Sequence, residues 1–260
     1  MLTRMYLTNF LSFSERTEFD FSASKYSILG ETNVSNSNTL KGALFIGPNA
    51  SGKSNALKGI VFIIDLIKGE GASFAQHRCV FAKTPFTIVE YEFSFSEKKV
   101  NYKIEYNVST KNISESLTID DILVLKREGS SGELRIGDTV SQDNQLDSET
   151  LFLRTASFNT GRFPQEPVLR ELMDYLLNSY CIDEYNQGAH WGNTIMKYAE
   201  DHGVEKINKY LQEFNYDFYV EYGSESNGEG LTVSVGSNKK LVFFKRKSFP
   251  LPIVFFNESQ

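Results

Sequence analysis

Apolar residues recur at every second position through much of the chain, and at three- to four-residue steps in a few short stretches. Between Phe86 and Val108 the period is two: Val89, Tyr91, Phe93 and Phe95 alternate with polar neighbours. Val100, Tyr102, Ile104, Tyr106 and Val108 repeat the pattern beyond the polar segment Ser96-Glu97-Lys98-Lys99. Successive side chains of a strand point to opposite faces, so this pattern predicts a hairpin with one wet face. Ala43-Leu44-Phe45-Ile46 is different: an unbroken apolar run ending at a glycine, which predicts a strand buried on both faces. After Gly52 the period becomes helical. Ala56, Leu57, Ile60, Ile63, Ile64 and Ile67 form one stripe and Gly69 follows as a stop, predicting a single helix.

The remaining elements follow from the same rules. Leu2 to Thr8, Glu18 to Phe21 and Tyr26 to Leu29 read as short strands, and Asn33 to Asn38 as a polar loop. Further strands are expected at Ser116 to Ile119, Asp121 to Arg127 and Glu133 to Ile136, with Ser130-Ser131-Gly132 turning between the last two. Asp138 to Glu149 reads as a polar connection. Leu169, Leu172, Met173, Leu176, Leu177 and Tyr180 mark an amphipathic helix starting near Pro167. Two more helices are expected around Thr194 to Glu200 and Val204 to Phe214. Strands return at Phe218 to Tyr222, Leu231 to Val235, Leu241 to Phe244 and Ile253 to Phe256.

Composition narrows the class. With 260 residues, 40% apolar and 23% charged, the chain is an ordinary globular protein with a sizeable core, which excludes fibrous and disordered classes. Twenty-one Phe and thirteen Tyr, mostly at alternating positions, favour β-structure. A net charge of −6 and only short basic stretches, such as Lys239, Lys240 and Lys245 to Lys247, argue against strong duplex binding by this chain alone. Cys79 and Cys181 stand far apart, and His77, His190 and His202 do not cluster, so neither a disulfide framework nor a zinc site is expected. Met1 to Phe10 has no long apolar stretch, and Ile60 to Ile67 is too short to span a bilayer and is broken by Asp65. A soluble, cytoplasmic chain with no membrane contact is the expectation.

One motif carries chemistry. Gly47-Pro48-Asn49-Ala50-Ser51-Gly52-Lys53-Ser54 fits G-x-x-x-x-G-K-[ST] at every fixed position. Its glycines let the backbone turn so that successive N–H groups face phosphate oxygens. Lys53 supplies a positive charge for the β- and γ-phosphates, the Ser54 hydroxyl is suited to Mg2+, and the helix beginning there adds the positive end of its dipole. With Asn55 completing the first turn, Gly47, Asn49 to Ser54 and Asn55 are the expected nucleotide-binding residues and ATP with Mg2+ the expected ligand pair.

Leu7-Thr8-Asn9-Phe10-Leu11-Ser12-Phe13, then Phe19, then a loop of the form G-x-N-x-S-G-K-S-N resembles the ATP-binding head of SMC and RecF-type proteins, and most of all the bacterial AAA-family ATPases related to OLD nucleases, found in phage-defence and abortive-infection systems. Thr84-Pro85-Phe86, the hairpin to Val108 and Ile113-Ser114-Glu115-Ser116-Leu117 fit the β-rich segment of that group. The resemblance implies an α/β P-loop NTPase: an ABC/SMC-type head lobe with a mixed sheet, an antiparallel β subdomain and a helical insertion, apparently without its C-terminal half. It divides the chain into a nucleotide-binding lobe at 1–165, a helical insertion at 166–215 and returning strands at 216–260. The last four residues, Asn257-Glu258-Ser259-Gln260, resemble the start of the Glu-Ser-x-Gly signature. Ala50 stands where such heads usually have glycine, and Leu11 where many carry a basic residue.

Hydrolysis in such heads needs an acidic pair at the end of a buried strand and a signature motif from a second head. Asp183 and Glu184 are the available pair, against the helical period of the residues before them. Gln76 is the candidate second magnesium ligand, against a plain loop glutamine. Asp65, Asp120 and Asp121 read as solvated carboxylates, His77 as a surface histidine and Trp191 as a helix anchor. The resemblance further implies a homodimer or higher oligomer and an effector partner, a nuclease or toxin; DNA is not indicated by charge. Whether the chain is an ATPase or a non-hydrolysing module that uses ATP to order an interface stays open. A kinase or GTPase lacks support: Arg154, Arg162 and Arg170 are too scattered for a lid. Neither Asn208-Lys209 nor Asn238-Lys239 leads to the aspartate of a guanine-reading motif.

Overall fold

The computed structural model describes residues 1–23, 30–69, 72–159, 166–179, 199–200, 202–213, 218–225, 228–235 and 238–245. The chain divides into two compact units, Met1–Ser179 and Tyr180–Gln260. The boundary splits the segment expected as a helical insertion between them.

The first unit is built on an eight-stranded sheet. Its strands are β1 (Leu2–Thr8), β2 (Thr17–Asp20), β3 (Phe86–Phe95), β4 (Lys98–Asn107), β5 (Asn112–Ile119), β6 (Ile122–Glu128), β7 (Ser131–Ile136) and β8 (Thr139–Asp143). They lie in the order β2-β1-β3-β4-β5-β6-β7-β8, and every described pairing is antiparallel. From β3 onward the sheet is a meander in which each strand pairs with its sequence neighbour. Two turns follow a strict recipe: Ser96 and Glu97 (φ 48° and 68°) join β3 to β4, and Asp120 and Asp121 (φ 49° and 66°) join β5 to β6. Paired positive φ values give the twist that two-residue hairpins need. Within that turn Asp120 Oδ1 accepts the Lys99 N–H at 2.9 Å.

Burial alternates along β3 without a break, placing Val89, Tyr91, Phe93 and Phe95 inward. Against that face pack α2 (Lys53–Lys68), through Phe62, Ile63 and Ile67, and α4 (Pro167–Leu177), through Leu169, Leu172 and Leu176. The remaining helices of the unit are α1 (Gly30–Asn33) and α3 (Phe152–Asn159). β8 and α3 are additions to the pattern read from the sequence: β8 offers only Val140 as an apolar residue, and α3 follows a polar stretch that hides its start.

A buried ion pair fastens α3 to the sheet. Arg127 and Glu115, with side chains 1% and 0% exposed, meet at 3.2 Å. Glu115 also accepts the Tyr102 hydroxyl at 2.6 Å and the N–H groups of Phe152 and Leu153 at 2.6 and 3.2 Å, so a strand carboxylate caps a helix that begins 37 residues later. Arg127 donates onward to the carbonyls of Gly129, Thr150 and Asp147. Burial, and then Glu115, push the Tyr102 phenol well above its ordinary pKa.

Ala43–Ile46 departs from its expectation. The run lies outside every described strand, with Leu44 and Ile46 exposed at 86% and 82%. A strand buried on both faces needs neighbours on both edges, and no described strand pairs with this run.

In the second unit α5 (Val204–Glu213) packs on β9 (Phe218–Glu225), which pairs with β10 (Gly228–Val235) and that with β11 (Asn238–Lys245). The buried Asn208 amide donates to Val220 O and accepts Val220 N–H, both at 2.7 Å, continuing the ladder from a helix. Its amide is therefore consumed by the fold. Lys239, Lys240 and Lys245 lie on β11, which among the described residues ends the order β11-β10-β9. Of the helix expected at Thr194 to Glu200, Ala199 and Glu200 are described, both helical. Tyr26 to Leu29, Trp191, Arg246 and Lys247, Ile253 to Phe256 and Asn257 to Gln260 fall outside the described residues.

Candidate functional site

The site starts at Gly52, the residue that caps α2 with φ 92°. That conformation favours glycine, and space enforces the choice: a Cβ there would lie 3.3 Å from Ser12 Oγ and 3.4 Å from the Phe13 ring. Glycine at the cap makes no side-chain bond to the first N–H groups of α2, the kind of helix start that suits an anion. The first helical bond runs from Ala56 N–H to Gly52 O at 2.9 Å. Ala50 adopts φ 63°, so the position where the resembled heads use glycine keeps its left-handed backbone here and carries a methyl group at some cost.

Lys53 turns back over its own loop. Its ammonium donates to Gly47 O at 2.8 Å and to Pro48 O at 2.7 Å, which turns the charge back toward the exposed loop. Gly47 to Ser51 and Ser54 are exposed, and no described hydrogen bond uses the Ser54 hydroxyl. Asn55 is already committed: its Nδ2 donates to Ser12 Oγ at 2.9 Å.

That contact joins the loop to a second piece. Phe10 and Phe13 exchange backbone hydrogen bonds at 3.0 and 2.8 Å across the tight turn Leu11-Ser12, in which Leu11 takes φ 48°. Leu11 N–H donates to His77 O at 2.7 Å, and Cys79 N–H to Asn9 O at 2.9 Å. The turn thus stands between the P-loop and the strap around Gln76. Gln76 is exposed there, free to approach a ligand, with no described partner. The sequence reading of His77 as a surface residue needs correction: its ring stacks on Phe10 at 5.4 Å, lies against Phe62 at 4.7 Å, and Nδ1 meets Ser73 O at 2.8 Å. Packing, rather than solvent, holds it. Asp65 sits inside α2 and its carbonyl accepts the Gly69 N–H that closes the helix.

These groups fit a nucleoside triphosphate. The start of α2 and the Lys53 ammonium lie at the same loop, and Ser54 offers the hard oxygen that Mg2+ takes beside phosphate oxygens. Among the described residues no cluster of three or more His, Cys, Asp or Glu could hold a metal unaided. Asp183 and Glu184 fall outside the described residues.

Residues 43–166 match a protein family described as an AAA domain, putative AbiEii toxin, Type IV TA system. The match supports a P-loop ATPase. It begins at the apolar run before the loop and ends beyond α3, so it takes in the loop, α2 and the whole meander. Thirty-three chains of solved structures also match. One is the SMC head domain from Thermotoga maritima, at 14% identity and a TM-score of 0.38, covering 93% of this chain and 65% of that one. This chain thus spans less than two thirds of that relative's length. No curated protein matches. Among the described residues no helix is long and apolar enough to cross a membrane.

Sequence reasoning missed Tyr91 and Glu115 as polar groups: alternation explained Tyr91 as β-structure, and Glu115 entered only through the resemblance of Ile113 to Leu117. A buried hydroxyl or carboxylate must have a partner. That requirement was the available signal, although it does not name the partner.

Proposed function

We propose that this chain is an ATP-binding head of the SMC/OLD-like kind, working as a nucleotide-gated dimer in antiviral defence or DNA transactions. The observation that carries the reading is the loop geometry: Lys53 turned back over Gly47 and Pro48 at the uncapped start of α2. Backbone N–H groups from Asn49 to Ser54 take the phosphates, Lys53 moves from its carbonyls onto the β- and γ-phosphates, and Ser54 with Gln76 holds Mg2+. Mg2+ held there would supply positive charge to the phosphates. The family match supports the ATPase class, and its printed description, naming a toxin and a toxin–antitoxin system, supports the defence setting and an effector partner.

Turnover is a separate matter. Binding needs the loop and the helix start, whereas hydrolysis also needs a positioned water and stabilisation of the leaving γ-phosphoryl charge. In heads of the resembled kind those parts come from an acidic strand end and from a second head; Asp183 and Glu184 are the available pair but follow residues of helical period, so we expect the chain alone to bind ATP and turn it over slowly. Phosphate release by the purified chain, with Lys53→Ala as blank, tests this. Fast turnover abolished by Glu184→Gln makes that pair catalytic within one chain. Binding with no release and no ATP-dependent change in mass by light scattering favours the interaction-module reading instead.

A further inference from the structure

The P-loop is only as well placed as the helix behind it, and α2 is held at three heights. At its start Asn55 is tied to Ser12. At its end Lys68 Nζ donates to Ser179 O at 2.7 Å, and Arg154 on α3 reaches Lys68 O at 3.4 Å. The middle hold is of another kind. Gly59 is buried, and a Cβ there would lie 2.8 Å from Leu7 Cδ1 and 3.1 Å from Met5 Sδ, so glycine lets the helix backbone settle onto β1. Beside it the Tyr91 hydroxyl, from β3, donates to Gly59 O at 2.7 Å.

We propose that Tyr91 is a positioning residue for the nucleotide site, its hydroxyl fixing the height and tilt of the P-loop helix on the sheet through the Gly59 carbonyl. This rests on the nucleotide-binding reading above. A helix carbonyl is normally spent on the N–H four residues later. A second donor reaching it from the sheet is possible because Gly59 exposes its backbone on that side. Gly59 lies six residues past Lys53, about 9 Å along the axis. A small tilt about this seat therefore becomes a displacement at the loop, where near-ångström precision decides phosphate contacts. Tyr91 is fully buried, and burial pushes its phenol far above the ordinary range, so it stays a donor at any working pH. An aromatic ring for packing alone would be Phe, as at Phe93 and Phe95 on the same strand. The hydroxyl is the informative difference.

Tyr91→Phe removes that one bond and keeps the ring. Its control is Ile119→Val on β5, a core trimming of similar cost placed on a strand that does not carry α2. Both variants and the parent are titrated with Mg-ATP well below their melting temperatures, and hydrogen exchange is followed in the amides of Asn55 to Ile60 without nucleotide. We expect Tyr91→Phe to bind ATP about three- to tenfold more weakly and to exchange faster in α2, while Ile119→Val matches the parent in both. Equal affinities for the two variants overturn the inference and leave Tyr91 a packing residue. A parent chain that binds no Mg-ATP sinks the nucleotide reading itself, and this inference with it. Because exchange is read without ligand, it shows whether the seat or the ligand assignment failed.

Discussion

Two cationic groups of the first unit show opposite ways of handling charge. Arg127 is buried, and its guanidinium is shared among Glu115 and three backbone carbonyls, all fixed by the fold. Lys53 also donates to backbone carbonyls, but these belong to its own exposed loop, five and six residues back. Removing Arg127 would leave the Glu115 carboxylate without its countercharge in an apolar surround, whereas the carbonyls near Lys53 can turn to water. A polar group whose partners are long-range and buried serves the fold. One whose partners are local, exposed and replaceable is available to a ligand.

Four measurements press on that contrast. Arg127→Met should cost the most, about 3–5 kcal/mol of folding stability, because it strands a buried carboxylate. Urea unfolding followed by circular dichroism reads it, and a loss under 1 kcal/mol would mean that water or another cation reaches Glu115. Lys53→Ala should leave the unfolding midpoint nearly unchanged and weaken Mg-ATP binding about ten- to a hundredfold, the worth of a charge-assisted contact near 1.5–3 kcal/mol. Calorimetric titration decides it, and a large stability loss with unaltered affinity would reverse the roles drawn here. Ser54→Ala should weaken binding in Mg2+ by roughly tenfold and in EDTA hardly at all, since only the metal complex uses the hydroxyl. A loss of the same size in both media points to a distorted loop. Ala50→Gly should have the smallest effect, a gain of at most about 1 kcal/mol, because relief of a left-handed alanine is partly offset by unfolded-chain entropy. A loss on thermal denaturation would show that the methyl group makes a useful contact.

The parts legible in the sequence were those set by local rules. Alternation gave β3 and β4 with their inward residues, the helical stripe gave α2, and a fixed eight-residue spacing gave the loop. Where a partner lies far along the chain, the signal vanished. Nothing in Ser114-Glu115-Ser116 announces that this carboxylate caps a helix at Phe152, and nothing in Phe152 to Asn159 announces a helix without that cap. Ala43–Ile46 shows the reverse error, in which a strong local signal met no described strand to pair with. The candidate site was legible at Gly47 to Ser54, where a fixed spacing announces the loop whatever the rest of the chain does. It was not legible at Tyr91, which alternation counted as apolar, or at Ser12, whose tie to Asn55 spans 43 residues.

The order of the sheet also fixes an order of assembly. From β3 to β8 each strand can zip onto the one before it as a ribbon, closing only short loops. β1 pairs locally with β2, Thr17 lying opposite Leu7, but its partners on the other edge, such as Val89 for Leu7 and Tyr91 for Met5, are 82 and 86 positions away. The loop and α2 lie between those two strands in the chain. A nascent polypeptide ending at Lys68 would therefore contain every residue of the phosphate motif and the β1 residues beneath Gly59, yet lack β3 and the Tyr91 hydroxyl that bonds to Gly59 O. The seat of α2 on the sheet is completed only when Phe86–Phe95 arrives.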